Sequence, residues 1–101
     1  MSENLLNLVN TIRDRKNKDE EKSYTSSLLS GGLSKCIDKL EEEFGELKEA
    51  LNKKSNIVHE AADTIYHILV TLEAADIKFE DVLKELENRK KQSGIEEKNN
   101  R

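Results

Sequence analysis

At 101 residues, with 38% charged residues and a formal net charge of −4, the chain has room for one modest core and is too acidic for a general nucleic-acid binder. It has no proline, four glycines, two tyrosines, two phenylalanines and no tryptophan, a composition that suits an all-α domain with long solvated faces. The lone cysteine, Cys36, excludes an internal disulfide framework, and no apolar run approaches membrane-spanning length, so a cytoplasmic protein without membrane contact is expected.

Leu5, Leu6, Val9 and Ile12 recur at helical intervals and predict a first amphipathic helix over about Ser2 to Arg15. Ser2 can serve as its N-cap, with Glu3 in the first turn. From Arg13 to Lys22 there is no apolar residue, which reads as a solvated helix end running into a mobile connection. The hydroxyl-rich stretch Ser23 to Gly32 reads as a helix of one or two turns, capped by Ser23 and stopped at Gly31 or Gly32. The plain reading of that stretch is a connector; the functional one is a hydroxyl-lined flank to a ligand site.

The second main helix is expected from about Leu33 to Lys53, with its buried stripe formed by Leu33, Ile37, Leu40, Phe44, Leu47 and Leu51. At about 100° per residue, Glu43 lies roughly 60° from Leu40, Lys39 roughly 100°, Glu46 roughly 120° and Glu42 roughly 160°, all to one side. Glu41 and Glu49 point elsewhere. Gly45 in mid-helix hints at a close approach by some other group. Ser55 or Asn56 can cap a third helix reaching to about Ala75. Its broad apolar face holds Val58, Ala61, Ala62, Ile65, Ile68, Leu69 and Leu72. The opposite side carries Glu60, Asp63 and His67, then Val70 and Ala74. A helix apolar on two sides needs two covers, and a homodimer supplies the second. Phe79, Val82, Leu83 and Leu86 mark a fourth main helix from about Lys78 to Gln92, with Lys78 a poor cap. A helical domain over 1–92 and a polar tail over 93–101 follow.

The plain reading of Glu41, Glu42, Glu43, Glu46 and Glu49 is a solvated helix face. Glu60 and Asp63 weaken it, because they sit in an otherwise apolar segment where unpaired buried charge would cost several kcal/mol. No lysine or arginine lies between Ile57 and Ile77 to neutralise them. A hard divalent cation with oxygen ligands, Mg²⁺ above all, resolves the repulsion and can meet phosphate oxygens, with Lys39 as a fixed positive charge nearby. His67 reads as a hydrogen-bonded helix histidine and His59 as exposed. There is no phosphate-cradling glycine loop and no nucleophile elbow.

Glu42-Glu43-x-x-Glu46 followed by Glu60-x-x-Asp63 resembles the signature of the MazG-like all-α nucleotide pyrophosphohydrolases. The flanking Ser23-Tyr24-Thr25, Lys39-Leu40, Tyr66-His67 and Asp81-Val82-Leu83-x-Glu85-Leu86-x-x-Arg89 narrow the likeness. Over about residues 3 to 101 the chain is similar to the phosphoribosyl-ATP pyrophosphohydrolases of histidine biosynthesis. The resemblance implies Mg²⁺-dependent hydrolysis of phosphoribosyl-ATP to phosphoribosyl-AMP and pyrophosphate by a helical homodimer. It further implies Glu43, Glu46, Glu60 and Asp63 as metal ligands, Glu42 as an outer ligand or the group that orients the attacking water, and Lys39 as a phosphate contact. Glu41 stands where the family usually has a small residue, Phe44 where alanine is common, and the proline often preceding Ser-Tyr-Thr is absent. Two rival readings are a house-cleaning enzyme acting on nucleoside triphosphates and a non-enzymatic helical dimerisation module.

Overall fold

The computed structural model describes residues 3–16 and 23–91, and every regular element among them is an α-helix. In chain order these are α1 (Glu3–Arg15), α2 (Tyr24–Ser30), α3 (Gly32–Lys53), α4 (Ile57–Ala74) and α5 (Phe79–Lys90). No described helix is long and apolar enough to cross a membrane. The expected four main helices and the short hydroxyl-rich one are all present. The expected cap Ser2, the connection at 17–22 and the tail 93–101 lie outside the described residues.

In α1, Val9 and Ile12 face inward, while Glu3 opens the helix and Arg13 and Arg15 close it, complementing its dipole. The basic end is not simply solvated, which corrects the sequence expectation for Arg13 and Lys16. Arg13 donates to Glu80 at 2.9 Å and lies 3.7 Å from Glu73. Lys16 pairs with Asp76 and donates to the Glu73 carbonyl at 3.0 Å. These partners come from the α4–α5 corner, a long-range pairing that local charge patterning cannot reveal.

Ser23 is extended and accepts from the Ser26 backbone N–H at 2.9 Å, so it caps α2 as expected. The Gly31 N–H donates back to Ser27 and Leu28. Gly32 then turns the chain into α3 at φ +87°, where L side chains are strained. The Ser26 hydroxyl donates to the Arg15 carbonyl at 3.1 Å, fastening α2 to α1.

The core joins Val9, Ile12, Leu28, Cys36, Leu69 and Val70, with Leu5, Tyr66 and Phe79 packed around it. Burial raises the Cys36 thiol above its ordinary pKa, and its Sγ donates to the Leu28 carbonyl at 3.4 Å. In α3 the buried line is Cys36, Glu43 and Ala50, one residue per heptad. The expected buried stripe is therefore wrong for the isolated protomer: Leu33, Ile37, Phe44 and Leu51 are exposed. Gly45 has open space where a Cβ would stand, so nothing approaches it closely within the chain.

Helix α4 shows the same reversal. Its buried residues are Thr64, His67, Leu69 and Val70, whereas Val58 is 84% and Ile65 51% exposed. The side carrying His67 packs within the protomer, and the broad apolar face looks partly outward. The reason is a polar seam between α3 and α4. Thr64 donates to the carbonyls of Glu60 (2.8 Å) and Glu43 (3.3 Å), and Thr71 to those of His67 (2.6 Å) and Cys36 (3.3 Å). Asn56 precedes α4 in the left-handed region at φ 60° and makes no side-chain cap bond, unlike the expected cap. Helix α5 begins without a side-chain cap at Lys78, as expected, and contains no fully buried residue.

Candidate metal and phosphate site

The seam sets the level at which the acids meet. Because α3 and α4 run antiparallel with Thr64 beside Glu43, the turns bearing Glu43 and Glu46 face the first turns of α4. One carboxylate oxygen from each of Glu43, Glu46 and Glu60 lies within 4.8 Å of the others. That span is within twice the bond length of about 2.0–2.6 Å that hard divalent cations make to oxygen.

Glu43 is the innermost of the three, 8% exposed, and its Oε2 is buried with no hydrogen-bond partner. A carboxylate oxygen left bare in this way is destabilising unless a cation or proton meets it. Burial pushes the Glu43 carboxyl above its ordinary pKa, Glu46 and Asp63 push it further, and His67 opposes them. The residues present thus fit a hard divalent cation.

Asp63 joins a second group instead. Its carboxylate, that of Glu60 and a ring nitrogen of His59 lie within 4.8 Å of one another, and His59 Nε2 is 3.2 Å from Asp63 Oδ2. Glu60 belongs to both groups. Of the four acids singled out as ligands, three converge directly and the fourth is linked through Glu60. His59 is exposed, as expected, yet it engages Asp63; its i, i+4 spacing to that residue was the available signal.

Glu42 is exposed on the rim, paired with Lys39 at 3.3 Å. Together they carry the acidic groove toward α2. At the opposite end, Glu46 and Glu60 border an open pocket of about 220 Å³, completed by Glu49, Ala50, Lys53, Ser55 and Asn56. Glu49, expected to point elsewhere, lines this pocket and pairs with Lys53 at 2.6 Å, which holds its carboxyl below the ordinary value.

The hydroxyl-rich α2 is more than a connector. Thr25 hydrogen-bonds to the Tyr66 hydroxyl, and Tyr24 Oη lies 3.1 Å from Nε2 of the buried His67. The His67 Nδ1 is 2.8 Å from the Asp63 carbonyl, which can only accept, so Nδ1 carries the proton. Tyr24 therefore donates its O–H to Nε2. Periodicity does not reveal this docking, although the polar positions His67 and Thr71 among apolar neighbours on α4 were a signal.

The family model described as Phosphoribosyl-ATP pyrophosphohydrolase matches residues 5–90, from the first turn of α1 to the last residue of α5. The chain belongs to this family. It is similar to proteins named phosphoribosyl-ATP pyrophosphatase from Paracoccus denitrificans (44% identical, covering 93% of this chain and 89% of the relative) and Roseobacter denitrificans (45%, covering 93% and 91%). The corresponding protein of Rhizobium etli is 41% identical, with 96% of this chain and 92% of the relative covered. As a phosphoribosyl-ATP pyrophosphohydrolase family member, the chain carries its convergent acids, Lys39 and the docked α2 all within the matched region.

Proposed function

We propose that the chain hydrolyses phosphoribosyl-ATP to phosphoribosyl-AMP and pyrophosphate, a step of histidine biosynthesis, in the cytoplasm and with Mg²⁺. The observation that carries this reading is the bare, buried Oε2 of Glu43 in a group with Glu46 and Glu60. Glu43, Glu46 and Glu60 would hold the ion, with Asp63 reached through Glu60. When bound, Mg²⁺ neutralises phosphate oxygens and the charge that develops on the leaving pyrophosphate.

The chain's own residues divide the remaining work. Lys39 exchanges its Glu42 partner for a phosphate oxygen, which frees the Glu42 carboxylate to accept a hydrogen bond from the attacking water and aim it in line. The Thr64 seam holds the two sets of acids at fixed separation, so the geometry is ready before substrate arrives. Release of pyrophosphate from phosphoribosyl-ATP, and not from a panel of nucleoside triphosphates, is the expected result with pure protein and Mg²⁺. Release from the panel would make the chain a house-cleaning enzyme, and release from neither would leave a helical dimerisation module.

The active unit is proposed to be a homodimer. Leu33, Ile37, Phe44 and Leu51 on α3, with Val58 and Ile65 on α4, leave more large apolar surface exposed than scattered surface residues would. A second copy burying the same faces satisfies both helices at once.

A further inference from the structure

Tyr24 combines two properties that are rarely found together. Its hydroxyl is held inside the protein by buried His67, yet the residue as a whole is 53% exposed. The His67 proton sits on Nδ1, facing the Asp63 carbonyl, so the Tyr24 O–H points inward as a donor. It is not available to donate to a phosphate. What Tyr24 offers to the groove is its ring.

That ring is fixed on several sides. Tyr66 stacks against it with ring centroids 6.4 Å apart and planes 20° from parallel. His67 meets it edge-on at 5.9 Å. Thr25, the next residue, is bound to the Tyr66 hydroxyl, so the start of α2 cannot swing away without breaking two side-chain contacts to α4. A pre-positioned aromatic ring binds a flat partner with little loss of conformational freedom.

Its position decides what the partner is. Tyr24 lies at the α2 end of the groove, where the charges of Lys39, Glu43 and Glu42 all reach its phenol. Lys39 and Glu42 stand between it and the converging acids. A nucleotide whose phosphates lie over those acids has its purine outside them, and Tyr24 is the exposed ring at this end of the groove. We propose that Tyr24 is a specificity-determining residue whose exposed ring face stacks on the purine of the substrate. This rests on the function proposed above and deepens it, assigning the α2 end of the groove to the base.

The test compares ligands with and without a base. Tyr24→Leu is expected to raise KM for phosphoribosyl-ATP about tenfold, in line with the typical worth of base–aromatic stacking, with kcat changed by less than about threefold. Inhibition by inorganic tripolyphosphate, which has no base, stays within about twofold of wild type. Tyr24→Phe, which keeps the ring, recovers most of the loss. Tyr24→Trp supplies the chain's only indole, and its fluorescence is expected to be quenched by ATP with Mg²⁺ but not by tripolyphosphate with Mg²⁺. An unchanged KM in Tyr24→Leu, equal weakening of tripolyphosphate, equal quenching by both ligands, or a changed oligomeric state in Tyr24→Leu would each overturn the proposal. Wild-type protein that releases no pyrophosphate from phosphoribosyl-ATP would defeat the functional reading, while the indole signal with ATP would still report on stacking.

Discussion

The Thr64 hydroxyl lies 3.3 Å from the main-chain carbonyl of Glu43, joining α4 to α3 at the level where the carboxylates gather. The same hydroxyl is 2.8 Å from the Glu60 carbonyl one turn back. A single buried side chain thus touches the backbone of two proposed metal ligands. Thr64→Val keeps the shape and removes the donor, leaving the Glu43 carbonyl without that partner. It is expected to lower stability by about 1–2 kcal/mol in urea unfolding and to reduce turnover, whereas Thr64→Ser stays closer to wild type.

Direct ligands should be less forgiving. Glu46→Gln and Asp63→Asn are each expected to reduce pyrophosphate release by at least about 100-fold, since even outer-shell changes around metals typically cost 10–100-fold. Far-ultraviolet circular dichroism should still report a helical fold, because Glu46 is exposed and Asp63 is only partly covered. Full turnover by both variants would contradict the ligand assignment.

Glu43 gives the opposite sign when metal is withheld. Its bare Oε2 destabilises the empty site, so in chelator at neutral pH Glu43→Gln should melt higher than wild type, by about 5 °C for roughly 1 kcal/mol. Adding Mg²⁺ should raise the wild-type melting temperature and leave the variant's nearly unchanged. Identical responses of the two proteins to Mg²⁺ would remove Glu43 from the ligand set.

The clasp between α1 and α5 makes a prediction about acid. The hydrogen bond from Arg13 holds the Glu80 carboxyl below its ordinary value of 4.5. A depressed folded-state pKa contributes stability above the unfolded value, and that contribution is lost as pH falls through the folded one. Arg13→Ala should therefore melt a few degrees below wild type at pH 7. The gap should narrow below about pH 4 as Glu80 takes up its proton, as followed by thermal melts across pH. Salt should narrow it as well, because Glu80 is exposed.

Ile65 tests the proposed second copy. It is 51% exposed, so Ile65→Glu has little to disturb within the protomer. Analytical ultracentrifugation at micromolar concentration should show wild type as a dimer and the variant shifted strongly toward monomer. A wild-type protein that sediments as a stable monomer would remove the dimer from the account.

The kinds and approximate positions of the helices were legible in the residues, because apolar spacing, Ser23 as a cap and Gly31 as a stop are local signals acting within a turn or two. The carboxylate spacing was equally local, and it pointed to divalent-cation chemistry before any fold was considered. What the tertiary structure alone decided was which faces turn inward. Glu43 lies on the buried line of α3 while Phe44, beside it, lies half exposed, and His67 is buried while Val58 is not. Hydrophobic periodicity marks the apolar side of a helix. It does not say which neighbour covers that side, and here hydroxyl bonds from Thr64 and Thr71 to carbonyls across the helix pair turn the polar edge of α4 inward. The docking of Tyr24 on His67, 43 positions later, belongs to the same class of fact. A hydrogen bond between distant parts of the chain leaves no periodic trace, and only packing brings its partners together.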